Sequence, residues 1–200
     1  MSSKGQETRE AILHHGVERA IVLGLEGLSI GMLARELDMS KSGVFAHFRS
    51  KEGLQLAVID YVAEVFLQRT IRPALKAPRG RARLEALADS WLAWLRDNEF
   101  GGGCFFVAAS VEFQGRPGPV RARLVSHQRD WLELIENVAR TAVAEGSLPA
   151  DTDLERFAYE FHAAGLIHQH ASRLLEDPRA GDIARETFSR LIHPTQIQAG

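Results

Sequence analysis

The chain has 200 residues, of which 45% are hydrophobic and 25% charged, and its formal net charge is -2. This composition predicts a soluble globular protein and excludes a uniformly basic nucleic-acid coat, while leaving room for a local basic footprint. We expect a cytoplasmic protein without membrane spans or a signal peptide, because the sequence has no long apolar run and its N-terminus is polar. No disulfide is expected within the chain, because Cys104 is its single cysteine.

Apolar residues recur at helical spacing along almost the whole chain, and clusters of β-branched residues are rare. The sequence therefore predicts an all-α protein. A first helix is expected over residues 6–24 and a short second helix over 30–37, capped by the hydroxyl of Ser29. A third short helix is expected to start after Ser40 and to continue through Phe48.

A longer fourth helix is predicted to begin at Lys51, capped by Ser50, and to end near residue 71 before Pro73. A linker rich in proline, glycine and arginine follows, and the region beyond it is more apolar. Further helices are expected around residues 84–95, 105–113, 118–145, 153–176 and 182–192. We expect one domain in residues 1–50 and a second in 51–200, with helix 51–71 linking the two.

Helices two and three, joined by the short turn after Leu37, are typical of a helix-turn-helix motif. Asp38 lies where the chain must leave helical geometry through a left-handed residue, which aspartate tolerates. The N-terminal end of the third helix would then be presented outward, as the part that such motifs place against base edges. From pattern alone, an ordinary helical hairpin remains the alternative.

The first sixty residues resemble the DNA-binding domain of the tetracycline-repressor (TetR) family of bacterial transcriptional regulators. SKSGVFAHFRSKEGL, residues 40–54, is the most specific part of the resemblance. The matching positions are Arg9, Ile12, Ala20, Gly24, Ser29, Leu33, Ala34, Met39, Ser40, Lys41, Phe45, His47, Phe48, Ser50, Lys51 and Leu54. The resemblance implies an N-terminal three-helix helix-turn-helix domain, joined by a long helix to a C-terminal helical domain that binds an effector and dimerises. It also implies an operator with two half-sites.

Nine residues are predicted to contact DNA, and seven of them fall into two groups with different roles. Lys41, Ser42 and Gly43 are the candidates for reading base edges, because lysine donates to guanine acceptors and glycine permits close approach. Phosphate contacts are expected at the start of the fourth helix, where free amides and an ammonium group favour anions. The phosphate group comprises Ser50 and Lys51, with Ser29 and His47 added by family analogy; Ser40 and Phe45 complete the nine.

Two positions depart from the family pattern. Phe45 stands where the family usually has tyrosine, so a hydroxyl that would reach a phosphate is missing. Asp38 replaces the turn glycine and is expected either to face aside, away from the DNA phosphates, or to cap locally. Phe48 and Phe45 are both interpreted mainly as core residues of the small domain.

The C-terminal region is rich in aromatic residues, which could be ordinary packing or the lining of an effector cavity between helices. A small, largely apolar effector is the partner that this composition and the family resemblance favour. The candidate lining residues are Trp91, Trp94, Phe105, Phe106, Phe113, His127, Trp131 and His162. No cofactor or metal is expected, since His162, His168 and His170 are poorly aligned on one helix. Cys104 is interpreted as an inert thiol, with redox sensing as the alternative.

The helix over 153–176 carries apolar residues all round, which requires cover on two sides. We therefore expect a homodimer through the helices near 153–176 and 182–192, and Gly165 is a first candidate for probing that interface. The favoured function is a ligand-responsive repressor that binds a palindromic operator. The alternative is a helical-bundle carrier or enzyme, although the sequence shows no nucleophile with its base and no paired carboxylates.

Overall fold

The computed structural model describes residues 4–101 and 103–194, and within these ranges the secondary structure is helical with no strand. Ten α-helices follow one another in the described residues. They are α1 (Lys4–Leu23), α2 (Ile30–Glu36), α3 (Lys41–Phe48), α4 (Lys51–Phe66), α5 (Arg72–Leu75), α6 (Arg81–Arg96), α7 (Phe105–Phe113), α8 (Pro119–Ala144), α9 (Leu154–Arg173) and α10 (Ala180–Ile192). The predicted all-α class is confirmed.

The caps predicted for the first short helices are present. The Ser29 hydroxyl accepts a hydrogen bond from the Met32 amide at 3.1 Å. The Ser40 hydroxyl accepts one from the Gly43 amide, also at 3.1 Å. Each bond satisfies one of the amides that a helix start leaves without an intrahelical partner. Asp38 has a φ of 52°, so the left-handed turn between α2 and α3 is confirmed.

The fourth helix does not stop before Pro73, which corrects the prediction. A π-helical turn, Leu67–Ile71, follows α4 directly, and the helical path then continues through α5, Arg72–Leu75. Pro73 lies in the first turn of α5, where its missing N–H is not needed for an intrahelical hydrogen bond. A proline therefore marks the start of a new helical register here.

The chain divides into two compact units, each with its own core. Among the described residues, the first compact unit comprises 4–65, 99–101 and 103–128, and the second comprises 66–98 and 129–194. Helices α4 and α8 each contribute residues to both units. The first unit is built around fully buried aliphatic side chains: Ile12, Leu13, Val17, Leu28, Leu33, Val44, Leu54 and Val58. The second unit combines aliphatic and aromatic core residues: Leu84, Leu87, Trp91, Ile135, Phe161 and Phe188.

Within 4–101 and 103–194, none of the helices combines the length and the hydropathy needed to cross a bilayer.

Candidate nucleic-acid interface and effector region

Helix α3 has one face in the core and one face in solvent. Val44 and Phe48 are buried and hold the helix against the small domain, whereas Lys41 and Ser42 at its first turn are exposed. Gly43 follows them and is partly exposed. The three residues predicted to read base edges therefore lie together at the N-terminal end of α3. Lys41 forms no ion pair within the described part of the chain, so its ammonium group is available to an acceptor in the major groove.

Phe45 does not lie in the core, contrary to the prediction. Its side chain is 51% exposed, whereas Phe48, three residues later, is only 6% exposed. One turn of helix separates Phe45 from Lys41, so its ring extends the exposed face of α3. The prediction was wrong because helical spacing from buried positions does not distinguish an aromatic residue in the core from one at the exposed edge of the helix.

The start of α4 has the predicted cap. The Ser50 hydroxyl accepts a hydrogen bond from the Gly53 amide at 2.9 Å. Arg49, the residue after α3, has a φ of 64°, and this left-handed residue makes the sharp turn between the two helices. The exposed side chain of Lys51 follows at once, but it is paired: its Nζ donates to Glu26 Oε1 at 2.7 Å. His47 is partly exposed and packs its ring 5.9 Å from that of Phe48.

Trp91 is the centre of an aromatic cluster in the second compact unit. Its ring stacks on His162 with centroids 5.5 Å apart and planes inclined by 6°. The ring of Trp131 lies 5.1 Å away, and its Nε1 donates a hydrogen bond to His162 Nδ1 at 3.1 Å. Burial lowers the pKa of His162, so its ring is held in the neutral form that accepts this bond. Four of the eight predicted effector-contact residues, including the buried Trp94, thus lie in this unit.

The other four predicted effector-contact residues lie in the first compact unit. Phe105, Phe106 and Phe113 are buried on α7, and the Phe106 ring is 5.8 Å from that of His127 on α8. His127 Nε2 also lies 3.2 Å from a carboxylate oxygen of Asp60. The aromatic residues therefore form two groups in separate units, a division that their helical spacing did not reveal.

Two residues of the second unit were not singled out by the sequence. Phe66 places its ring 5.3 Å from both Trp94 and Trp131. Thr70, in the π-helical turn, is 1% exposed, and its hydroxyl has no hydrogen-bond partner among the described residues. The only sequence signal for Thr70 would have been a polar residue on the buried face of a helix, which is too common to be diagnostic.

Exposed apolar side chains are concentrated on α9, on the segment after it and on α10. Ile167 is 61% exposed and Leu174 70% exposed. Leu166, Leu175 and Ile183 are also exposed. Gly165, by contrast, faces inward: a Cβ added there would lie 2.2 Å from the Trp91 ring. Gly165 is therefore unsuitable as a probe of a subunit interface, because a substitution would disturb the core.

Two further features bear on chemistry. Cys104 is buried, as expected of a packing thiol. Across the described ranges, no cluster of three or more histidine, cysteine or acidic side chains is arranged to hold a metal ion.

Two family models match this chain. The model described as "Tetracyclin repressor-like, C-terminal domain" matches residues 80–188, and the model described as "Bacterial regulatory proteins, tetR family" matches residues 12–58. The chain belongs to the TetR family. Its members are bacterial transcriptional regulators and not enzymes, so the alternative of a helical-bundle enzyme is set aside.

Relatives of known name and structure agree with this membership. The chain is 26% identical over 192 residues to the HTH-type transcriptional regulator TcmR of Streptomyces glaucescens, covering 80% of this chain and 82% of that protein. It is similar to the crystal structure of a TetR transcriptional regulator from Chloroflexus aurantiacus, with a TM-score of 0.87 and 26% identity over 96% of this chain and 97% of the other. A third structure, AibR in complex with isovaleryl coenzyme A and operator DNA, is similar in fold, with a TM-score of 0.75 and 20% identity over 94% of this chain and 99% of that one.

The N-terminal TetR match includes α2, α3 and the start of α4. It therefore contains all nine residues predicted to contact DNA. The C-terminal match contains all eight residues predicted to line the effector site, because it runs from the start of α6 into α10.

Proposed function

We propose that this TetR-family regulator is a ligand-responsive repressor that works in the cytoplasm and binds a palindromic operator as a homodimer. The observation that carries the proposal is the exposed N-terminal end of α3, where Lys41 and Ser42 project to solvent while Val44 and Phe48 anchor the helix. A helix held in this way presents its first turn to base edges in a major groove.

The proposed DNA surface has two parts, as in other helix-turn-helix proteins. Lys41, Ser42 and Gly43 read base edges, and the capped start of α4, with Ser50 and Lys51, binds phosphates. In this proposal, residues 1–50 form the DNA-binding domain, and the helical path that begins with α4 at Lys51 links it to the rest of the chain. Ser29, Ser40, Phe45 and His47 complete the contacts.

The proposed effector is small and largely apolar or aromatic, and it binds beside the Trp91 cluster. Stacked and edge-on rings there offer apolar contact, and His162 supplies a polar group. The buried Thr70 hydroxyl, which lacks a partner among the described residues, is a further group that an effector could satisfy. One structural neighbour, AibR, has been crystallised with both isovaleryl coenzyme A and operator DNA.

The proposed dimer forms through α9 and α10. Ile167, Leu174 and Ile183 expose apolar side chains on or beside these helices, and a second copy would cover them. Paired subunits would hold two copies of α3 about one helical turn of DNA apart, roughly 34 Å. An effector acts on such a protein by preferring one spacing of the two recognition helices over the other.

The test is a selection of bound fragments from genomic DNA at fixed salt, followed by titration of the recovered fragment and a random duplex of equal length. We expect the recovered fragment to contain an inverted repeat and to bind at least about 1,000-fold more tightly than random DNA. Equal affinity for the two duplexes would contradict the proposal. Lys41→Ala should remove much of the preference, because a good base contact is worth about 1–3 kcal/mol.

A further inference from the structure

A glutamate on α7 binds the backbone of the loop between α1 and α2. Glu112 accepts two hydrogen bonds from backbone amides of the loop, one from Leu25 at 2.7 Å and one from Glu26 at 2.8 Å. Gly24 begins the loop with a φ of 81°, and a Cβ added there would lie 2.9 Å from the Glu112 carboxylate. Glycine thus allows both the left-handed turn and the close approach of Glu112.

The side chain of Glu26 points from this loop to the start of α4. Its carboxylate accepts from Lys51 Nζ at 2.7 Å and from Gln55 Nε2 at 3.1 Å, and Arg116 lies 3.9 Å away. Gln55 is only 4% exposed and also donates to the carbonyl oxygen of Leu25 at 3.0 Å. The hydrogen bond from Lys51 is the main cause that lowers the pKa of Glu26. Glu26 therefore stays ionised at neutral pH.

The pair has a direct consequence for DNA. Lys51 is a proposed phosphate ligand, but its ammonium group already lies beside the Glu26 carboxylate, which is also bound by Gln55 and lies near Arg116. A phosphate that reaches Lys51 meets the negative charge of Glu26 at short range. Since the side chains of Lys51 and Glu26 are 43% and 42% exposed, solvent screens their attraction and an incoming phosphate can displace Glu26.

We propose that Glu26 competes with DNA phosphate for Lys51, and that Glu112 positions Glu26 for this role. The proposal rests on the proposed function, because it assumes that Lys51 binds DNA. Glu26 lies within the N-terminal family match and Glu112 within the C-terminal one, so the contact joins the two parts of the sequence. Both lie in the first compact unit. A change at Glu112 on α7 should therefore alter the affinity for DNA.

The first test compares Glu26→Gln with Glu52→Gln. Both variants remove one negative charge near Lys51: Glu26 is its ion-pair partner, and Glu52 is its exposed neighbour in sequence, which forms no ion pair with another described residue. We expect Glu26→Gln to bind a random duplex and any operator about 3- to 10-fold more tightly, without a change of preferred sequence. Glu52→Gln should give a smaller gain that reflects net charge alone.

The same pair of variants in a Lys51→Ala background completes a double-mutant cycle. In that background the excess gain of Glu26→Gln should disappear, because Glu26 and the DNA phosphate no longer have a Lys51 ammonium group to compete for. The proposal would be overturned by equal gains for Glu26→Gln and Glu52→Gln, by an excess gain that survives in Lys51→Ala, or by weaker binding of Glu26→Gln. Lack of any DNA binding would instead overturn the proposed function and this inference together.

The positioning role of Glu112 is tested with Glu112→Gln. The amide retains one acceptor oxygen but its NH2 group cannot accept the second loop amide, so Glu26 should be held less firmly. We expect an affinity gain of about 2- to 3-fold for any duplex, and no further gain when Glu26→Gln is already present. A merely structural role would lower the melting temperature and leave DNA affinity unchanged, which would remove Glu112 from the proposal. If Glu112→Gln does not fold, Glu112→Asp is used, since it keeps both oxygens but shortens their reach.

Discussion

A single methyl group at position 165 should test the packing of the second compact unit. In Gly165→Ala, the new Cβ would lie 2.2 Å from the nearest carbon of the Trp91 ring, and two more ring carbons would lie within 2.6 Å. Carbon atoms in contact normally stay about 3.5–4.0 Å apart, so the ring must move by roughly 1.5 Å. The contacts of the ring with His162, Trp131 and Phe161 oppose that movement.

The expected cost follows from two opposing effects. Overpacking a well-packed core typically costs about 1–3 kcal/mol, and a clash with three fixed ring carbons places this variant at the upper end. Replacing glycine by alanine within α9 recovers about 1 kcal/mol of helix propensity. The net destabilisation is therefore about 2 kcal/mol, which corresponds to a fall in melting temperature of about 4–8 °C for a chain of this length.

The assay is thermal and urea unfolding followed by circular dichroism. Gly31→Ala is the matched control, because Gly31 is also helical and a Cβ there meets nothing within 4 Å. Helix propensity alone acts at that position and should raise the free energy of unfolding by up to about 1 kcal/mol. A Gly165→Ala variant as stable as the wild type would refute the inward orientation of Gly165.

Four further outcomes are expected. Lys51→Ala should weaken binding to every duplex alike and reduce the slope of log K against log salt by about 1.8, which is about 0.9 for each subunit of the dimer, whereas a new preferred sequence would contradict a phosphate contact. Uracil-for-thymine substitution in a recovered operator should cost the wild type about 4-fold at one half-site position and cost Phe45→Ala nothing, if the exposed ring covers a thymine methyl group. Because burial lowers the pKa of His162, the unfolded chain binds more protons than the folded chain. The free energy of unfolding should therefore fall as the pH drops below about 6.5, by at most about 1.4 kcal/mol per pH unit. In His162→Asn, that part of the pH dependence should vanish. Ile167→Glu should give folded monomers in sedimentation velocity, and an intact dimer would remove α9 from the interface.

Local features of the sequence were predictable because their physics is local. Helix caps at Ser29, Ser40 and Ser50 depend on a hydroxyl and an amide three residues away, and all three are present. The left-handed turn at Asp38 follows from the chain geometry between two short helices. Helical periodicity predicted the all-α class for the same reason. The error at Pro73 has a local cause too, since proline is accepted in the first turn of a helix as readily as it ends one.

The candidate DNA site could be proposed from sequence, because its nine predicted residues lie within a single stretch of short helices and turns. The ion pairing of Lys51 within that site could not. Glu26, the partner of Lys51, is 25 residues away in the sequence. Glu112, which accepts a hydrogen bond from the backbone amide of Glu26, is 86 residues from Glu26. No spacing rule connects side chains on different helices, because their approach depends on how those helices pack.

Local sequence was sufficient to predict the helices, their caps and the motif that presents Lys41 and Ser42, because these depend on hydrogen bonds and periodicity within a few residues. The exposure of Phe45 and the contact of Gly165 with a tryptophan became visible in the folded chain alone. The division of the aromatic residues between two compact units did so as well. Each of these depends on which face of a helix meets which neighbour, and that choice is made by packing across the whole chain.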